Sequence, residues 1–97
     1  MLMTVLEAHV SPENQSTFEK AYEEAIQQLS PSIIQTFLLR DTGDTSLWQI
    51  ATIWRSRREL DKIRKQGTPR GVLMFREAGA EPTLTVFDII AQAAATS

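Results

Sequence analysis

The stretch Leu47-Trp48-Gln49-Ile50-Ala51-Thr52-Ile53-Trp54 constrains the fold more than any other part of the chain. Ile50, Thr52 and Ile53 are β-branched, and the two tryptophans are aromatics of the kind strands favour. Successive strand side chains point to opposite faces. Trp48, Ile50, Thr52 and Trp54 therefore share one face, and Leu47, Gln49, Ala51 and Ile53 share the other. Both faces are largely apolar, which predicts a central strand covered on both sides. Ser56, with Glu59 three residues on, then gives the capping-box pattern of a helix start. The strand runs straight into a helix.

The flanking segments can be read from the same periodicities. Leu2 to Val10 reads as a first strand, with Thr4, Leu6, Ala8 and Val10 on one face and Met3, Val5, Glu7 and His9 on the other. Ser11-Pro12-Glu13 starts a helix, because serine is a good N-cap and proline is tolerated at the first helical position. Phe18, Ala21, Tyr22, Ala25, Ile26 and Leu29 then recur at helical spacing as one apolar stripe, which Ser30-Pro31-Ser32 ends. Ile33 to Arg40 is a second strand. Asp41-Thr42-Gly43-Asp44 is turn chemistry, with Gly43 able to take positive φ, and predicts a hairpin into the tryptophan strand. The helix after Ser56 buries Leu60 and Ile63 and stops at Gly67, with Pro69 beyond. Arg70 to Gly79 predicts a short third helix. After the break at Glu81-Pro82, Leu84 to Ile90 is a last strand, with Phe87 and Ile89 on the face opposite Leu84 and Val86.

The order β-α-β-β-α-(α)-β is the split βαβ arrangement. It predicts an α+β, ferredoxin-like fold with a four-stranded antiparallel sheet and helices on one face. Ninety-seven residues make one domain, expected over 1–92, with 93–97 fraying as a C-terminal tail. The second sheet face carries Met3, Val5, Ala51, Ile53, Phe87 and Ile89, too apolar to be left in water. A homodimer through that sheet face is the expected partner arrangement.

Composition excludes several chemistries. There is no cysteine, which removes disulfides, thiolate metal sites and a cysteine nucleophile. One histidine cannot build a multi-histidine metal site. The net charge of -2 gives no reason to expect nucleic acid as a partner. No apolar run approaches a membrane span, and Met1-Leu2-Met3-Thr4 lacks a basic n-region. The expected location is the cytoplasm.

Three features together carry a family resemblance: the β-α-β-β-α-β order, the Trp54-Arg55-Ser56 junction followed by Glu59-Leu60, and a closing strand Thr85-Val86-Phe87-Asp88-Ile89 after a Glu-Pro break. The chain resembles the antibiotic biosynthesis monooxygenase (ABM) domains of the dimeric α/β barrel superfamily. The resemblance implies that two subunits form a dimeric α/β barrel, each with a cavity between helices and sheet. Some members oxidise polycyclic phenols or quinols with O2 and without metal or flavin, so no cofactor is expected. Others degrade haem, or act in quinone or quorum-signal metabolism. Trp54 matches a strand-end tryptophan that lines the cavity in active members. The haem-degrading members carry an asparagine at about the position of Leu6 and a histidine in the helical region where this chain has Arg64 and Lys65. Those departures disfavour haem degradation. The monooxygenase members' asparagine near the end of the third strand has no clear counterpart; Gln49, Thr52 and Ser56 are the nearest polar residues.

The candidate ligand pocket is Trp54, Trp48, Tyr22, Leu6 and Phe75, with Trp54 as a wall and Tyr22 or Arg64 as a donor to a ligand oxygen. Each has a plainer reading. The tryptophans and Tyr22 also suit ordinary core packing. His9 is the sole imidazole, and its strand parity places it on the dimer face rather than in the cavity. Arg55, Arg57, Arg58, Lys62, Arg64, Lys65 and Arg70 are seven of the ten basic residues. They suit an anionic substrate or nucleic acid, or simply a solvated helix face, which is favoured, with Arg64 or Arg70 near the cavity mouth. Asp41 and Asp44 flank a turn and suggest no metal site. The expected function is a cofactor-independent monooxygenase acting on a small aromatic, phenolic or quinone-like molecule. The alternative is a non-catalytic small-molecule-binding or structural dimer of the same fold.

Overall fold

Residues 1–95 are described in a computed structural model of the chain. The elements are β1 (Leu2–His9), α1 (Pro12–Ala25), β2 (Ile33–Arg40), β3 (Leu47–Trp54), α2 (Arg57–Lys65), α3 (Arg70–Glu77) and β4 (Thr83–Asp88). The four strands form one antiparallel sheet in the order β2-β3-β1-β4. This is the ferredoxin-like α+β fold, and the tryptophan strand β3 is central in it. Among the described residues no helix is long and apolar enough to cross a membrane.

Strand parity sets the two faces as the sequence predicts. Leu2, Thr4, Leu6 and Ala8 of β1 are buried toward the helices, and Met3, Val5 and Glu7 are only half-buried on the far side. The register then stacks like positions into rows across the inner face. Arg40, Trp48 and Ala8 form one row, and Leu38, Ile50, Leu6 and Leu84 the next. Thr36, Thr52, Thr4 and Val86 follow, and Ile33, Trp54, Leu2 and Asp88 close the sheet end. Two apolar clusters result. The larger gathers Val10, Phe18, Trp48, Ile50, Met74 and Phe75 among others; the smaller gathers Leu2, Trp54 and Leu60, with Ile33 and Ile63 against them. The threonine row lies between them.

Several local expectations need correction. Ser11 precedes α1, but its side chain makes no capping hydrogen bond; the first turn is closed by its carbonyl, which accepts from Asn14 N at 2.9 Å. The helix stops at Ala25 and tightens into a 3₁₀ turn over Ile26–Gln28, so the apolar stripe does not run to Leu29 as α-helix. Leu29 is already extended (φ -73, ψ 140) to bring the chain round to β2. Ile26 and Leu29 are left 38% and 45% exposed. Gly43 does not take positive φ; only Gly67 and Gly79 do among the glycines. The Asp41 carboxylate instead accepts from Gly43 N at 2.9 Å and Asp44 N at 2.7 Å, so a side chain holds the turn. At α2, Ser56 Oγ accepts from Glu59 N at 3.2 Å, which is half of the capping box. The Glu59 carboxylate does not return to the cap; it accepts from Ser32 Oγ and ties α2 to the loop before β2. Gly67 follows the C-cap residue Gln66 at φ 130, a backbone region suited to glycine. The last strand is Thr83–Asp88, not Leu84 to Ile90, and beyond it Ile89 N still donates to Met1 O at 3.1 Å. Residues 91–95 are exposed and carry no regular structure, and 96–97 of the expected tail lie outside the described residues.

Candidate functional site

Between the two apolar clusters lies a cavity of about 250 Å³, bounded by the inner sheet face and the helices. Its floor is the threonine row, Thr4, Thr52 and Thr36. Leu6, Ile50 and Met74 wall it on the larger cluster's side; Trp54, Leu60 and Ile63 wall it on the smaller's. Gln28, Leu29, Arg64 and Arg70 are exposed and stand at its mouth. The α3 backbone approaches the sheet closely here: a Cβ on Gly71 would lie 2.8 Å from Leu6 Cδ1. That glycine lets α3 form one side of the cavity without its own side chain filling it.

The floor is hydrogen-bonded. Trp54 Nε1 donates to Thr4 Oγ1 at 2.9 Å, a buried bond that fixes the indole plane. Tyr22 Oη donates to Thr36 Oγ1 at 3.3 Å, and Thr36 Oγ1 lies 3.2 Å from Thr52 Oγ1. The polar atoms of the floor are thus fixed by neighbours, and the walls are apolar. No carboxylate and no imidazole lines the cavity among the described residues. A ligand entering it meets hydrocarbon on the sides, hydroxyls below and guanidinium groups at the mouth.

Of the residues singled out from sequence, Trp54, Tyr22, Leu6 and Arg64 all line this cavity. Trp48 and Phe75 are not among its lining residues. Trp48 lies further along β3, edge-on to Phe18 at 5.8 Å between ring centres, with the Arg40 guanidinium 5.6 Å from its ring centre. Phe75 is fully buried against Phe18 at 4.5 Å. Parity puts both tryptophans on the correct face; distance along the strand separates them. Tyr22 is at the cavity, but its hydroxyl already donates to Thr36. His9 lies at the far end of β1, exposed, with Nε2 3.1 Å from Asp44 Oδ2 and no part in the cavity. The Asp44 carboxyl is held below its ordinary 3.8, chiefly by hydrogen bonds from Ser46 and then by His9. Arg57, Arg58, Lys62 and Lys65 line a separate shallow surface groove with Asp61. Sequence reasoning misses the threonine row. Parity gives Thr4 and Thr52 the inward face, but only the strand register brings Thr36 beside them.

Comparison with known proteins agrees with this architecture. The profile of the family described as antibiotic biosynthesis monooxygenase (ABM) matches residues 1–68, from β1 through α2. No curated protein matches the sequence. Among solved structures, a candidate antibiotic biosynthesis monooxygenase from Deinococcus radiodurans superposes with a TM-score of 0.75 at 9% identity, covering 100% of both chains. SnoaB, a cofactor-independent oxygenase from Streptomyces nogalater solved as a mutant, superposes at 0.71 with 13% identity and 94% of each chain covered. Rv0793 from Mycobacterium tuberculosis gives 0.69 at 16% identity, over 97% of this chain and 100% of that one. At such identities the likeness is one of fold. The profile match spans well over half of the chain, which therefore belongs to the antibiotic biosynthesis monooxygenase family.

Proposed function

We propose that the protein is a cofactor-independent monooxygenase of a small phenolic or quinol-like aromatic molecule. The observation that carries this reading is the cavity beside Trp54: apolar walls that suit a flat ring, and hydroxyl and guanidinium groups that suit its oxygen. The likeness to SnoaB supports it at the level of fold. In such a reaction the substrate itself supplies the electrons. A ring methylene activated by a neighbouring phenol loses a proton, the carbanion forms a C–O bond with O2, and the peroxide loses water. In sum, one methylene and one dioxygen give one ketone and one water. With no carboxylate or imidazole at the cavity among the described residues, the chain's part is to favour the ionised substrate. Donors at the floor and the positive charges of Arg64 and Arg70 do so, and the apolar walls exclude water. The proton leaves to solvent at the mouth.

The same absence of a base favours a second reading, a non-catalytic binder of the same class of molecule. Oxygen uptake separates the two. Anthrone is expected to raise oxygen consumption stoichiometrically with anthraquinone formed, and Trp54→Phe to slow it. Binding of anthrone without oxygen consumption would select the binder, and activity unaltered by Trp54→Phe would remove the role given to that side chain. We infer further that two copies pair through the outer sheet face. Phe37, Leu39 and Phe87 stand 39%, 42% and 50% exposed there beside Val5 and Ile53, an apolar surface of the kind that a partner covers. Light scattering is expected to give twice the chain mass; a monomer at micromolar concentration would overturn the pairing.

A further inference from the structure

The hydroxyl protons of the cavity floor can be counted. An indole N–H only donates, so its 2.9 Å contact makes Thr4 Oγ1 an acceptor. Thr36 Oγ1 and Thr52 Oγ1 lie 3.2 Å apart, and either can donate to the other. With Tyr22 Oη donating to Thr36 Oγ1 and the Thr36 proton turned to Thr52, Thr52 is an acceptor as well. In that arrangement Thr4 and Thr52 each keep an O–H for a ligand oxygen. Thr4 and Thr52 are directly paired across β1 and β3. Directly opposed residues have Cβ atoms about 5 Å apart on a shared face. Both line the cavity, and each is only 7% exposed.

We propose that Thr4 and Thr52 form a two-donor seat for the anionic oxygen of the ligand, so that the cavity selects phenols that enter oxygen first and binds them as phenolates. This rests on the reading of the cavity as an aromatic-ligand site. One oxygen placed between the pair takes both protons at ordinary hydrogen-bond distance, and bonds to an ionised acceptor are the strong ones. With Thr36 donating to Thr52, the relay Tyr22 to Thr36 to Thr52 strengthens its terminal donor, since aligned hydrogen bonds polarise one another. The Trp54 bond does the same for Thr4. The seat also explains why threonines sit where aliphatic residues would fuse the two apolar clusters. Tyr22 and Trp54 act here as positioning residues.

The test uses 2-naphthol and naphthalene as paired probes, read by quenching of Trp54 in a Trp48→Phe background. The wild-type floor is expected to bind 2-naphthol at least about tenfold more tightly than naphthalene. Bound naphthol should show the naphtholate absorbance at lower pH than free naphthol. Thr52→Val keeps the shape and removes the donor. It is expected to cut the naphthol-to-naphthalene affinity ratio about tenfold and abolish the ionisation shift, with Thr52→Ser restoring both. Thr4→Val also strands the Trp54 N–H, so Thr4→Ser, which keeps the hydroxyl and should keep the preference, is the control at that position. Equal affinity for the two probes, or an unaltered ratio in Thr52→Val, would overturn the seat while leaving the aromatic pocket standing. Failure of both probes to quench would remove the pocket and the seat together.

Discussion

Trp48 and Trp54 share one face of one strand, yet their indole nitrogens meet opposite circumstances. Trp54 Nε1 has Thr4 Oγ1 at 2.9 Å, and Trp48 Nε1 is buried with no partner among the described residues. An unsatisfied buried donor costs about 1–3 kcal/mol, a cost that replacement by phenylalanine removes. The ring lost at Trp48 packs against Phe18, whereas the ring lost at Trp54 partly faces open space. Packing therefore argues that Trp48→Phe is the worse change, and hydrogen bonding argues the reverse. The hydrogen-bond difference is the larger, because phenylalanine retains most of the edge contact with Phe18. Trp48→Phe should cost about 1 kcal/mol less than Trp54→Phe in urea unfolding. A larger loss at Trp48 would mean that packing dominates. A single residue also marks the limit of reading by parity. Val72, Met74 and Phe75 lie within a single helical turn, and nothing in that run tells which of them meets Phe18 and which meets the cavity.

At the scale of elements, the β2–β3 hairpin is held by acidic side chains. Asp41 closes the turn, and Asp44 accepts from Ser46 N at 3.1 Å and Ser46 Oγ at 2.7 Å while its other oxygen meets His9. The Asp44 carboxyl is held below its ordinary 3.8, so the unfolded chain takes up that proton at higher pH than the folded one. The stabilisation is complete above about pH 3.8 and is lost as pH falls through the folded value. Asp44→Asn should therefore flatten the acid limb of the stability profile, as followed by thermal unfolding across a pH series. An acid limb as steep as that of the wild type would deny Asp44 this part. The hairpin itself is legible in the sequence, since Asp41-Thr42-Gly43-Asp44 sits between two strand patterns. The means of closing it is not, because glycine and aspartate both build such turns and only the backbone angles decide. The end of α1 is a similar case. The stripe continues in sequence to Leu29, but the short path to β2 forces the last turn to tighten and the backbone to extend.

Across the whole molecule, period-two alternation fixes which face each strand residue meets, and the element order fixes the antiparallel sheet. Both are local properties, and they carry the fold. The cavity floor is different. Thr4, Thr36 and Thr52 come from three strands and meet only through inter-strand register, which no single stretch of sequence encodes.

The division of the interior into two clusters has a consequence for how the molecule opens. Leu2, Trp54 and Leu60 are joined to the main core through a row of hydroxyls and a void, not through continuous apolar contact. Regions with few shared buried contacts open below the global unfolding free energy. The α2 amides should exchange with deuterium faster than those of α1 around Phe18, and opening there offers a route by which a flat molecule wider than the resting mouth is admitted. A bound ring would bridge the two halves, slow α2 exchange toward the global rate and sharpen the thermal transition. Exchange in α2 as slow as in α1 in the free protein would show the halves to be one cooperative unit.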